Sequence, residues 1–357
     1  MRSRKNSARV AANSSCPIRN PGWFPDPAQR RKDIGVEGKR CLVTGAAGFI
    51  GSHLCRRLAS QGAEVDALVR PGSGPERIVG IADRITIHRV DMVDRDAMEA
   101  CLKSVEPDLV FHLATPTRGL GEPTAEASRS SVDTILLPLI DLVDILAALP
   151  RPPINVVRAG TIAEYGHIAV PYLEHQHEEP VTPYGAAMLA GTKYLGMLAS
   201  RLPFPIVSAR LALTYGPDQS RDFLLPSLFE ACSRGDAIEI RRPEDRRDLI
   251  HVEDVVDALI CLAGDPRPGA SHVNICTGIA PTMREVTLLV AEAMDADPGL
   301  VRLGKTRTGE QVSHLLSDPG MAAQVYGWRP KIGIREGIGM LADHFSGSLK
   351  TEVRSRG

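Results

Sequence analysis

The sequence predicts an α/β protein: a doubly wound parallel sheet followed by a smaller C-terminal domain. Three observations carry this. From Lys39 to Leu211, short apolar runs alternate with helix-period segments, the pattern of strands covered on both faces. The first run, Cys41-Leu42-Val43, passes through Gly45, Gly48 and Gly51 into a segment with Ile50, Leu54 and Leu58 at helical spacing. After Tyr215-Gly216-Pro217 the alternation loosens, which places a change of architecture there.

Residues 1–36 are basic, rich in Ser, Asn and Pro, and lack both apolar periodicity and the apolar core of a secretory signal. They read as a disordered N-terminal extension. Strands are then expected at Arg40–Thr44, Glu64–Val69, Ile85–Val90, Asp108–Leu113, Ile154–Arg158 and Pro205–Leu211. Helices are expected over Asp94–Val105, Ser130–Leu149 and Tyr184–Arg201, with Pro150, Pro152 and Pro153 separating the second from its next strand. Further on, Phe223–Arg234, Glu253–Leu262 and Thr282–Met294 read as helices and Ala237–Ile240 as a short strand. His272–Ile275 reads as a strand able to rejoin the sheet. The expected division is a Rossmann-type dinucleotide-binding domain over 37–215, with 246–276 returning to it, and a substrate-binding domain from 216–245 and 277–357.

The glycine turn carries the first functional expectation. A glycine in the turn admits torsions closed to other residues, the next lets the backbone approach a pyrophosphate, and the third lets the helix pack close on the strand. Free amides and the positive end of the helix dipole then face the phosphates. Strand, turn, helix and following strand stand in the required order, so Gly45, Ala47, Gly48, Phe49, Ile50 and Gly51 are candidate dinucleotide-binding residues. The end of the second strand reads the cofactor. An acid there would accept the ribose hydroxyls of NAD, but the chain has Val69-Arg70-Pro71. An arginine fork suits a 2′-phosphate, which favours NADP(H) and leaves NAD(H) as the alternative.

Composition narrows the rest. A net charge of −1 sets up no field for nucleic acid or an anionic membrane. No apolar run reaches the roughly 18 residues of a membrane-span candidate. The seven cysteines are scattered, odd in number and without a C-x-x-C pair, which reads as reduced thiols in a cytoplasmic protein. His175 and His177 have a metal-like spacing, but Tyr172–Pro180 reads as a solvated loop and no metal is expected.

Thr44-Gly-Ala-Ala-Gly-Phe-Ile-Gly51 resembles the cofactor loop of extended short-chain dehydrogenases/reductases, the sugar-nucleotide epimerase, dehydratase and reductase family. Asp91-Met92 is similar to the family's pair beside the adenine, and Phe111-His-Leu-Ala114 to its fourth-strand signature. Asp91, Met92, Leu113 and Ala114 therefore join the cofactor candidates. Thr161-Ile-Ala-Glu-Tyr-Gly166 resembles the segment whose hydroxyl contacts the reacting sugar oxygen, and Pro183-Tyr-Gly-Ala-Ala-Met188 the segment of the catalytic tyrosine. Arg210 through Tyr215-Gly-Pro217, Arg247-Asp-Leu-Ile-His-Val-Glu-Asp254 and Gly327-Trp-Arg-Pro330 complete the likeness. The resemblance implies Thr161 and Tyr184 as catalytic residues, with Thr161 also touching substrate and Tyr184 also touching cofactor. It implies Arg247 as a contact of the nucleotide phosphates. It also implies a homodimer built on the helices of Ile135–Leu149 and Leu189–Leu198.

One departure bears on the chemistry. The family places a lysine four residues after the tyrosine, one turn on, where its charge favours tyrosinate and its ammonium bonds the nicotinamide ribose. Here that residue is Met188. Lys193 stands about 140° further around the helix, which makes it a poor substitute. Tyr184 then acts as a neutral acid aided by Thr161 and by the cofactor's charge, or the chemistry is weakened. The acid pair of family dehydratases is replaced by Ile162 and Ala163, with Glu164 one place later on the other side of an extended chain. That disfavours a 4,6-dehydratase. The reading is an oxidoreductase acting on a nucleotide-linked sugar, reducing a 4-keto-6-deoxyhexose with NADPH. The alternatives are an NAD-dependent 4-epimerase and a catalytically weakened dinucleotide-binding protein.

Overall fold

The computed structural model describes residues 35–116, 123–267, 270–304 and 312–355. Seven parallel strands form the central sheet: β1 (Arg40–Thr44), β2 (Glu64–Val69), β3 (Ile85–Arg89), β4 (Leu109–His112), β5 (Asn155–Thr161), β6 (Ile206–Leu211) and, from later in the chain, β11 (Ala270–Ile275). Their order across the sheet is β11-β6-β5-β4-β1-β2-β3. The order reverses beside β1, with β2 on one side and β4 on the other. In such sheets ligands bind outside the carboxyl ends of the strands, at that reversal.

Both faces are covered, as the apolar strands require. Helix α1 (Phe49–Ser60) and helix α7 (Val252–Gly264) bury Leu54, Leu58, Val255 and Leu259 on one face. Helices α2 (Arg95–Val105), α4 (Leu137–Ala148) and α5 (Pro183–Leu198) bury Leu102, Leu142 and Leu195 on the other. Alternation along β1 feeds both cores: Cys41 and Val43 join the first and Leu42 the second.

The helix expected over Ser130–Leu149 begins earlier. Thr124 caps α3 (Ala125–Ser131) by accepting the Ala127 amide at 3.1 Å. A π turn at Val132–Leu136 then joins α3 to α4. That turn restarts the hydrogen-bond ladder, so Pro138 falls in the first turn of α4, where its missing N–H costs little. The expected extension over 1–36 lies outside the described residues except at its end. There the boundary is corrected, because Val36 is 5% exposed and packs in the core.

Residues after β6 add a third core. Strand β7 (Leu213–Tyr215) pairs with β10 (Leu249–His251), β8 (Ile238–Ile240) with β12 (Val301–Leu303), and β9 (Arg246–Arg247) with β13 (His314–Leu315). Helices α6 (Leu224–Arg234), α8 (Met283–Ala293) and α9 (Ile334–Ser355) close over Tyr215, Phe229, Val286 and Leu341. The described cysteines form no disulfide. Among the described residues, no helix is long and apolar enough to cross a membrane.

Candidate active site

The parallel register brings the sequence-predicted residues to one edge of the sheet. The Gly45–Gly51 turn follows β1, Arg70 follows β2, Asp91-Met92 follows β3, Leu113-Ala114 follows β4, and Thr161 ends β5. Thr44 ties two of these together. Its hydroxyl bonds His112 Nδ1 at 3.0 Å and accepts the amides of Leu113 and Ala114 at 3.1 Å each. Burial, and behind it the charge of Arg158, push His112 down to about 3, so this joint is neutral.

The glycine turn fits a dinucleotide. Gly45 sits at φ +69, and a Cβ there would lie 2.9 Å from the Ala114 nitrogen. A Cβ on Gly51 would lie 2.2 Å from the Gly45 carbonyl oxygen, so only glycine lets α1 start this close to the turn. No side chain caps α1, and its first turn holds no acid. The first-turn amides are therefore left for an anion. Ala47, Phe49 and Ile50 lie on this turn and helix start, and the exposed Arg70 stands beside it at the end of β2. Asp91 is partly exposed, and Met92 is buried in the core on the α2 side.

At the other end of the crevice, Thr161 and Tyr184 meet. Thr182 caps α5 by accepting the Gly185 amide at 3.0 Å, and Pro183 fills the first turn. Gly185 packs so close to the turn after β5 that a Cβ would lie 2.5 Å from the Ala163 oxygen. This approach brings Tyr184 beside Thr161. Thr161 Oγ1 already accepts the Ala163 amide at 3.2 Å, which leaves its one proton to donate. Burial pushes the Tyr184 phenol above its usual range; the neighbouring Thr161 hydroxyl and the charge of Arg158 pull it back, and Glu164 pushes it further up. The tyrosine is a neutral phenol around pH 7 and suits proton donation.

The segment after Thr161 is not extended. Ile162–Glu164 forms a 3-10 turn with Thr161 as its cap, and Glu164 returns to accept the Thr161 amide at 3.2 Å. Glu164 is fully buried, bonded to Thr192 Oγ1 and Arg210 Nε at 2.9 Å each. Its carboxylate is committed to the interior, which excludes it as a base by geometry rather than by strand alternation. Arg210 also donates to Glu178 at 2.8 Å, and Lys193 reaches the same carboxylate at 2.9 Å. Against the upward push of burial, these two cations hold Glu178 down to about 2. Lys193 is thus paired with Glu178, 15 residues before it in the chain.

Arg247 sits on β9 with its guanidinium engaged. It donates to Asp245 at 3.1 Å and to the Arg246 and Ser313 carbonyls at 2.8 and 3.0 Å. A phosphate would have to share these donors. His167, His175 and His177 are exposed, and among the described residues no group of three His, Cys, Asp or Glu side chains is placed to hold a metal.

Sequence reasoning passed over Arg158. It lies on β5, is 1% exposed, and sits beneath α5. The available signal was a charge in the middle of Val156-Val157-Arg158-Ala159, an apolar run of a strand covered on both faces.

Comparison with known proteins shows the family of the chain. The profile of the NAD dependent epimerase/dehydratase family matches residues 41–276. A UDP-glucose 4-epimerase of Mycolicibacterium smegmatis is 32% identical over 317 residues, spanning 86% of this chain and 98% of that protein. A GDP-6-deoxy-D-mannose reductase of Pseudomonas aeruginosa is 24% identical over 328 residues, 88% of this chain and 99% of that protein. The UDP-glucose 4-epimerase of Thermus thermophilus, solved in complex with NAD, superposes with a TM-score of 0.72 at 26% identity, covering 86% of this chain and 99% of that one.

Proposed function

This chain belongs to the NAD dependent epimerase/dehydratase family and is an enzyme of it, and from that premise we propose that it reduces a nucleotide-linked 4-keto-6-deoxyhexose with NADPH. The observation that carries the proposal is the neutral Tyr184 phenol beside Thr161, where β5 ends. A reduction needs a proton donor at the carbonyl oxygen, whereas an oxidation begins with a base.

Gly45, Ala47, Gly48, Phe49, Ile50 and Gly51 hold the pyrophosphate through amides and close backbone approach. Arg70 meets the 2′-phosphate, Asp91 and Met92 the adenine, and Leu113, Ala114 and Tyr184 the nicotinamide side. When bound, the cofactor supplies the hydride. Thr161 donates its hydroxyl proton to the substrate oxygen, beside the Tyr184 phenol. Tyr184 then gives its proton to the alkoxide oxygen: the phenolic O–H bond breaks and its electron pair stays as phenolate. The residues after β6 bind the nucleotide end, where its phosphates share the Arg247 donors with Asp245 and Ser313. The protein works in the cytoplasm as a homodimer. Tyr194 and Met197 of α5, and Leu137 at the start of α4, are large apolar side chains left exposed on those helices, which supports pairing across a two-fold axis.

The test is stoichiometric. Purified protein with 4-keto sugar nucleotides should consume one NADPH per product, and Tyr184→Phe should slow turnover about 10²–10⁴-fold. Turnover without net NADPH loss supports the second reading, an NAD-dependent 4-epimerase, which the 32% identity to the Mycolicibacterium smegmatis epimerase favours. Binding without turnover of any sugar nucleotide would leave a dinucleotide-binding protein.

A further inference from the structure

Met188 removes the lysine from the helix of Tyr184, yet a cation lies against the same turn. Arg158 rises from β5, and its Nη2 donates to the Met188 carbonyl at 2.8 Å and touches Met188 Sδ at 3.6 Å. Its Nη1 donates to Thr192 Oγ1 at 2.9 Å and lies 3.3 Å from Ser208 Oγ. Gly191 makes the room, since a Cβ there would lie 2.8 Å from Nη2. The guanidinium is thus seated under the single turn that runs from Tyr184 to Met188.

A buried charge survives only when it is hydrogen-bonded and answered. Glu164 answers this one through the shared hydroxyl of Thr192, at 2.9 Å from each. Glu164 is also paired with Arg210, and Glu178 with Arg210 and Lys193. Three cations therefore face two carboxylates, and the excess is positive. His112 on β4 adds no charge. The charged groups that act on Tyr184 are Glu164, from the turn, and Arg158, from β5.

We propose that Arg158 is the positioning cation for Tyr184, carrying from β5 the positive charge that a lysine at 188 would carry from the helix. This rests on the reading of Tyr184 as the proton donor. After the phenol gives up its proton, the guanidinium stabilises the phenolate until solvent returns one. A charge fixed by five donors in a fork is held more rigidly than an ammonium on a flexible stem. The methionine, soft and unbranched, packs over the guanidinium where a lysine would repel it.

The experiment is a tyrosinate titration of the protein without cofactor or substrate, read by absorbance after a rapid pH jump. Each protein is compared with its own Tyr184→Phe partner, so that only Tyr184 contributes. Arg158→Leu should raise the Tyr184 midpoint by about one pH unit or more, the effect of removing a neighbouring opposite charge. Arg158→Lys should keep it near wild type, and adding Met188→Lys to Arg158→Leu should bring it back. The basic limb of the turnover profile should move in the same order. Met188→Lys alone should crowd two cations and lower the melting temperature. Should the leucine protein fail to fold, Arg158→Gln keeps a donor for the Met188 carbonyl, discards the charge and must show the same rise. A folded Arg158→Leu or Arg158→Gln with the wild-type midpoint overturns the proposal, as does a double variant that stays raised. If no sugar nucleotide is turned over, the enzymatic reading falls while the titration still decides the role of Arg158.

Discussion

Replacing Gly51 with alanine is the smallest change that tests whether the turn after β1 is built for a dinucleotide. The added Cβ would sit 2.2 Å from the Gly45 oxygen, 2.9 Å from the Gly45 carbonyl carbon and 3.0 Å from the Ala46 Cα. All three are backbone atoms, so no side chain can swing away. Restoring ordinary contact needs the helix start and the turn to part by about 1 Å, which close-packed surroundings resist. The overpacking cost is about 1–3 kcal/mol, a loss the fold survives with a lower melting temperature. The effect on binding is larger. The displaced first-turn amides would lose charge-assisted bonds worth about 1.5–3 kcal/mol each. Losing two weakens affinity by about two to four decades. Calorimetric titration of NADPH and NAD⁺ into wild type and Gly51→Ala, with thermal melts alongside, reads both numbers. A variant that melts lower and binds normally would refute the assignment of the turn. One that melts and binds like wild type would refute the packing argument itself.

Three further outcomes are expected. Arg70→Ala should weaken NADPH by about 1.5–3 kcal/mol and leave NADH nearly unchanged, because only the 2′-phosphate needs the guanidinium; equal losses by calorimetry would show that Arg70 does not discriminate. Burial lifts the Glu174 carboxyl to about 7, with the Asn274 amide at 2.8 Å offsetting part of the push. The folded state therefore favours the protonated form, and its stabilising contribution is complete below about 4.5 and lost as pH rises through 7. Glu174→Gln should become the more stable protein by up to about 3 kcal/mol at pH 8 and match wild type near pH 4.5; a stability gap in denaturant melts that does not change with pH would contradict this. Light scattering at micromolar concentration should return a dimer mass, and Met197→Glu, on the exposed face of α5, should return a monomer; a monomeric wild type removes the assembly proposal.

The sequence by itself determined what depends on neighbours along the chain. Strand and helix periodicity placed the six early strands of the sheet to within a few residues, because burial on two faces demands an unbroken apolar run. The glycine turn was legible because a positive φ at Gly45 and the contact at Gly51 act over six residues. Thr161 and Tyr184 were legible as motifs, but the close approach of Gly185 to Ala163 is what brings them together. Partners far apart in the chain were not legible. Glu164 was expected on an extended strand, yet its bonds to Thr192 and Arg210, 28 and 46 residues on, accompany a turn. Nothing near Arg247 in the chain announced that Ser313, 66 residues later, would meet its donors. Strand β8 was expected at Ala237–Ile240, but its partner β12, and the pair of β9 with β13, are two or three residues long, too short to leave a periodicity. Arg158 and Met188 each break a local rule, a charge in a buried strand and an apolar residue where a lysine belongs. Only packing α5 on β5 makes them one device, because a buried charge acts over a few ångströms of space regardless of the 30 residues of chain between them.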